Sequence, residues 1–319
     1  MVVFVALAVM GLAHQQEIRD SIAGWAYTPS DAVSKIVSDT GLTDEGRRVF
    51  YATHPGVVAA EAFNKACPRS EPQSPVVGCY APDDSIYIYN VTNPKLSGIE
   101  QVTATHELLH AVWARMDSRE RAHLSALVLK SYEKHADADL KERMAYYERT
   151  EKGQEANELF AILGTEVRGL PQELEQRYER YFDRGAVVRS YEKYQSQYKE
   201  LEARVEALSA QIDAREGEIT RESAAYTTSA NNLQGQIERF NARANGGYFT
   251  TQTQFYAQRA QLMSEVSSLE ARRAAINQKI EEYNALISER NDVSSEIQSL
   301  NNSMDSMKSL DEPSSITQL

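Results

Sequence analysis

The stretch SGIEQVTATHELLHAVWARMD (Ser97–Asp117) decides how the chain is read. Ile99, Val102, Leu109, Val112, Trp113 and Met116 recur at the three- and four-residue steps of an α-helix. Ser97 followed by Glu100 has the S-x-x-E form of a capping box, so the helix is expected to open there and run to about Asp117. Inside it stands His106-Glu107-Leu108-Leu109-His110. Residues four apart share one helical face, so both imidazoles are positioned to reach one Zn²⁺ ion. Glu107 is turned away by one residue, near such a metal but outside its ligand set. There it is placed to deprotonate a water that the metal has acidified. Two hydrogen-bonded core histidines are the plainer alternative.

A catalytic zinc needs a third protein ligand and one open position. Downstream, helices are expected over 119–135, 140–149, 154–167 and 171–182, with Gly169 at a C′ position and Pro171 at N1. Glu155, Glu158 and Glu166 fall on roughly one face of the third of these. Glu158 is the first candidate, Glu166 the alternative and Glu155 the last, against the ordinary fate of helical glutamates as a solvated acidic face. Tyr146 and Tyr147 precede that helix. One of them is a candidate hydrogen-bond donor to a developing oxyanion, against the commoner role of a packing tyrosine. His14, His54, His123 and His135 have no metal-ligand spacing to the motif.

These residues resemble the HExxH zinc metallopeptidases, the zincins. Trp113 and Met116 stand where the metzincin extension has glycine and histidine, which excludes that branch. Asn157-Glu158 on a downstream helix is similar to the gluzincins, whose third ligand is the glutamate of an Asn-Glu pair. Ile162 replaces the aspartate usual four residues later, so the groups that orient the histidines are unassigned. The resemblance covers about residues 76–182. The run from Gly78-Cys79-Tyr80 to Thr103-Ala104-Thr105-His106-Glu107 also looks like uncharacterised bacterial surface proteins that join an HExxH domain to a C-terminal coiled coil. It implies an exported peptidase with Zn²⁺ held by His106, His110 and Glu158, and with Glu107 catalytic.

Upstream, Val76–Tyr80 and Ser85–Tyr89 are rich in β-branched and aromatic residues around Pro82-Asp83-Asp84, so a hairpin is expected. Ile86–Tyr89 is a candidate edge strand for holding an extended peptide by strand addition. Residues 15–66 read as helical, with Ser30 or Asp31 capping one segment and Thr43 another. Cys67 and Cys79 are the only cysteines and form no CxxC motif. A disulfide closing a loop with Pro68, Pro72 and Pro75 is expected, which requires an oxidising compartment; two buried free thiols are the competing reading.

Met1–Ala13 is apolar and uncharged. As a helix it would span about 20 Å, short of a hydrocarbon core of about 30 Å. It lacks a basic n-region, although Gly11-Leu12-Ala13 would serve as a cleavage site. It reads as part of a signal anchor or signal peptide over 1–14 and points to export, against a buried core helix.

Beyond about Gly185 apolar residues alternate three- and four-residue steps. They run through Tyr191, Tyr194, Tyr198, Leu201, Val205, Leu208, Ile212 and Ile219, then from Leu262 to Met307. Heptads this long indicate coiled coil. Two arms of roughly 80 Å, broken at Gly246-Gly247, are expected to fold back on each other. A parallel dimeric rod is the rival.

The expected fold is mainly α with a small β-hairpin, a zincin-like α+β head at 15–185. A long antiparallel coiled-coil hairpin follows at 186–310, turning near 245–254, with a disordered tail at 311–319. The low mean hydropathy suits such a division between compact and solvent-rich parts. A net charge of −12 disfavours nucleic acid as a partner, because phosphate binding rests on Lys and Arg. The partners expected are a peptide or protein substrate, a membrane through the N-terminus, and a protein or second copy along the coiled coil. The function expected is zinc-dependent peptide hydrolysis at a bacterial surface. A non-catalytic coiled-coil spacer or assembly protein with a zinc-stabilised or degenerate head is the alternative.

Overall fold

The computed structural model describes residues 15–68 and 76–308. The segment at 1–14, Pro72 and Pro75 of the loop, and the tail at 311–319 lie outside the described residues. The described chain is mainly helical with one small sheet, and it divides into two compact units, 15–198 with 298–308, and 199–297. No described helix is long and apolar enough to cross a membrane.

The first unit opens with α1 (Gln15–Trp25), α2 (Asp31–Thr40) and α3 (Asp44–Ala52). Ser30 caps α2 by accepting from the Val33 N–H, and Thr43 caps α3 by accepting from that of Gly46. These side chains satisfy backbone donors that have no partner in the first helical turn. Then come β1 (Gly56–Val58), α4 (Ala60–Ala66), β2 (Gly78–Tyr80) and β3 (Ile86–Tyr89). The sheet order is β1-β3-β2, with β1 parallel and β2 antiparallel to β3.

The expected hairpin is the β2–β3 pair, but β3 is not an edge. Val57 pairs with Ile88 on one side while Cys79 pairs with Tyr87 on the other, so the peptide-holding edge expected at Ile86–Tyr89 is already occupied. Among the described residues the outer strands are β1 and β2. Cys67 and Cys79 are joined in a disulfide, which ties the end of α4 to the middle of β2 beside Phe63 and Tyr89.

After a 3-10 turn at Pro94–Leu96 comes α5 (Ile99–Arg115). The capping box does not form. Gly98, at φ 105°, takes the N-cap position, and Glu100 instead accepts from the Val91 N–H at 3.1 Å. Ser97 ends the preceding turn, its N–H bonded to the Pro94 carbonyl, so its backbone is committed one residue too early to cap α5.

Helices α6 (Ser118–His135), α7 (Ala138–Thr150), α8 (Glu155–Glu166) and α9 (Gln172–Glu179) complete the surround. Asp117 and Asp137 cap α6 and α7. Pro171 is the N-cap of α9 and not its first helical residue. In the core, Leu108, Leu109, Ala111 and Val112 of α5 meet the run Leu159–Leu163 of α8, all within 2% of full burial. An α8 residue with a side chain at Gly164 would place Cβ 2.5 Å from Leu109 Cδ1, so glycine there lets the two helices close.

Two long helices follow, α10 (Arg184–Asn245) and α11 (Gln252–Met304). Within the second unit Arg204 pairs with Glu289 at 2.7 Å, Arg215 with Glu282 at 3.0 Å, and Lys279 with Glu222. As the α10 number rises its α11 partner's number falls. Leu208, Ile212, Leu233, Ile276 and Val293 are buried, whereas Ile280 of the expected stripe is 38% exposed.

Candidate metal centre

The site is built from two helices and one strand edge. The i, i+4 spacing on α5 puts the rings of His106 and His110 edge to face with centroids 4.8 Å apart. From α8, packed against α5 through Gly164 and Leu109, Glu158 projects between them. His106 Nε2 lies 3.7 Å from Glu158 Oε2, and His110 Nε2 lies 3.5 Å from Oε1.

These separations are longer than a hydrogen bond. They are close to the edge of a tetrahedron of N and O ligands around a common ion, about 3.4 Å for zinc bond lengths near 2.1 Å. The three side chains are therefore a group that could hold a metal ion. Glu158 is 5% exposed. Burial works against its charge, but His110, His106 and Arg143 together hold its carboxyl below the usual range.

Asn157 orients His110. Its Oδ1 lies 3.0 Å from His110 Nδ1 and is placed to accept from an Nδ1–H, which leaves Nε2, the atom nearest Glu158, as the one to bind a metal when the ring is neutral. Asn157 in turn donates to Gln154 Oε1 at 3.3 Å. It fills, for His110, the orienting place left unassigned by Ile162. The signal in the sequence was its position beside Glu158.

Glu107 is 7% exposed, on the side of α5 that meets β2. Burial pushes its carboxyl up to about 7, with Glu158 adding to the rise, while His110 and the Tyr80 backbone N–H pull the other way. Gly78 makes this contact possible. A Cβ there would fall 2.3 Å from Thr103 Cγ2 and 3.0 Å from Glu107 Cγ and Oε1. Register explains why Tyr80 reaches Glu107. The bonds Tyr89 N–H to Val77 and Ala81 N–H to Ser85 set the odd residues of β2 toward β3, so the polar groups of Gly78 and Tyr80 point to the outer edge.

Of the two tyrosines on α7, Tyr147 feels the charges of Glu158, Glu107 and Glu151. Its hydroxyl is driven well above its ordinary value, first by burial and then by Glu158, which keeps it a proton donor. Tyr146 packs edge-on to it at 5.5 Å, under the Arg149 guanidinium. Glu151, where α7 ends, had no motif to mark it. Partial burial and the charge of Glu158 raise its carboxyl.

The other acidic candidates lie elsewhere. Glu166 forms a two-pronged pair with Arg143, at 2.7 and 2.8 Å, and does not join the histidines. Glu155 accepts from the Gly153 N–H at the start of α8. His54 contacts the Ala23 carbonyl, His123 pairs with Glu173, and His135 contacts the Ser131 carbonyl. Comparison of the chain with protein-family models, with curated proteins and with solved structures returns no match.

Proposed function

We propose that the chain is an exported zinc peptidase of the gluzincin-like kind, with a zincin-like head and an antiparallel coiled-coil hairpin. The observation that carries this reading is the ring formed by His106 Nε2, His110 Nε2 and the Glu158 carboxylate, with Glu107 buried beside it. Those three would hold the ion. A bound zinc supplies Lewis acidity, lowering the pKa of a water and polarising a peptide carbonyl.

The chain's own groups do the rest. Glu107, lifted toward neutrality by burial, takes a proton from the attacking water and returns it to the departing amine. Asn157 keeps His110 in the ligating tautomer. Tyr147, whose hydroxyl stays protonated in the field of Glu158 and Glu107, is the candidate donor to the oxygen on which charge develops. An extended peptide lies along the outer edge of β2, where the Gly78 backbone groups and the Tyr80 carbonyl face outward and the Tyr80 N–H is held by Glu107. The Cys67–Cys79 disulfide fits an oxidising compartment and so supports export.

A second reading, a spacer or assembly role for the hairpin, rests on the reversed order of ion pairs between α10 and α11 and is compatible with the first. The separating experiment is cleavage of a quenched-fluorescent peptide library by the zinc-loaded full chain and its Glu107→Gln variant. Loss of about 10²–10⁴-fold in rate with zinc retained supports hydrolysis through Glu107. Undiminished cleavage by the variant overturns it.

A further inference from the structure

The turn between α10 and α11 has a composition unlike the rest of the chain. Between Arg239 and Met263 there are three arginines, Arg239, Arg243 and Arg259, and no Asp, Glu or Lys, in a protein whose net charge is −12. All three arginines are exposed. Further along the same helices Arg204, Arg215 and Lys279 have glutamate partners, but at the turn Arg243 has the Tyr248 ring beneath it at 5.1 Å.

The aromatic residues there are of two kinds. Phe240, Phe249 and Phe255 form a closed triangle with centroids 5.3 to 5.5 Å apart, and this triangle packs the turn. Tyr248 and Tyr256 meet Phe249 and Phe255 edge-on from outside and are 62% and 59% exposed, with Met263 53% exposed on the flank. The tyrosine rings thus lie outside the apolar packing of the turn, although the Tyr248 N–H bonds the Arg243 carbonyl at 3.0 Å. Beside the triangle lies a groove of about 170 Å³, lined by Arg239 and Arg243 from α10 and Gln258 and Gln261 from α11, with Phe240 at its wall. Its donors suit a phosphate oxygen.

The geometry points to this turn as a docking surface for an anionic phospholipid membrane. Tyr248 and Tyr256 sit at the level between headgroups and acyl chains, and Arg239, Arg243 and Arg259 contact lipid phosphates. Tyrosine has an apolar ring and a polar tip and favours that boundary, while clustered arginines are drawn to an anionic leaflet. A nucleic acid is disfavoured, because tracking a phosphate backbone needs cations along a path and these three are confined to one turn of an acidic chain.

The test is co-sedimentation of the full chain with vesicles of phosphatidylcholine alone or mixed with phosphatidylglycerol, together with amide exchange of residues 239–263. The expected result is binding to the anionic vesicles that weakens with salt, slows exchange in that segment, and falls about fivefold for each Arg→Gln change at 239, 243 or 259. Tyr248→Ser with Tyr256→Ser should weaken binding while the helical circular dichroism of the chain is retained. Local exchange separates this contact from any made by the apolar residues near the N-terminus. Binding that survives all three arginine changes with no protection of 239–263 overturns the proposal. So does protection by polyglutamate or a single-stranded oligonucleotide but not by vesicles.

Discussion

His110 Nδ1 lies 3.0 Å from Oδ1 of Asn157, the residue immediately before Glu158, so one turn of α8 both supplies a ligand atom and orients a ligating ring. Backbone motion that displaced Glu158 would move the orienting amide with it. Removing this partner frees the imidazole to rotate and to change tautomer. Asn157→Ala is expected to weaken zinc affinity by about 10–100-fold with little change in melting temperature of the metal-free chain, read by competition with a chromophoric chelator.

The packing of β2 on α5 gives a second expectation. Gly78→Ala forces a methyl group onto Thr103 Cγ2 and against Glu107. A destabilisation of about 1–3 kcal/mol is expected in urea unfolding, as for other overpacked cores. Gly78→Ala combined with Thr103→Ala should recover part of it, because the nearest clash is with that methyl. An additive double variant would contradict the geometry.

Breaking the Cys67–Cys79 bridge tests what holds the outer edge of β2 in place. Reduction, or Cys67→Ser with Cys79→Ser, is expected to cost about 3 kcal/mol of stability through the freed loop. Because Gly78 and Tyr80 flank Cys79 and touch Glu107, peptide cleavage should fall by more than the loss of folded protein explains. Thermal unfolding and cleavage rate with and without reductant measure both.

Glu100 provides the pH expectation. Burial raises its carboxyl above the ordinary value, against the pull of the Val91 N–H. A carboxyl raised on folding binds more protons in the native state, so its contribution is present at low pH and lost as pH rises through the folded value. Glu100→Gln keeps an acceptor for Val91 and never ionises. Its melting temperature relative to wild type should therefore rise between acidic and neutral pH. A constant difference across that range would contradict the assignment.

How much was legible in the sequence depends on the range of the interaction involved. The α5 pattern, the α6 to α8 segments and the β2–β3 pairing follow from periodicity and turn chemistry within a few residues. The shared face of His106 and His110 follows from helical spacing alone. What could not be read is set by partners far along the chain. β1 is three residues with no alternation to mark it, and its parallel pairing with β3 is what turns Ile86–Tyr89 into a central strand. Ser97 and Glu100 satisfy the capping pattern, yet the 3-10 turn claims one and Val91 claims the other. Glu158 and Glu166 share a helical face, so only the position of Arg143 on α7 separates them.

The most direct test of the metal centre is metal content by mass spectrometry on the purified full chain incubated with zinc and then desalted. Wild type is compared with His106→Ala, His110→Ala, Glu158→Ala, Glu166→Ala and Glu107→Gln. About one zinc per chain is expected in wild type, Glu166→Ala and Glu107→Gln, with loss in the other three. A folded wild-type chain that retains no zinc, or a Glu158→Ala variant that binds it as tightly as wild type, would contradict the account.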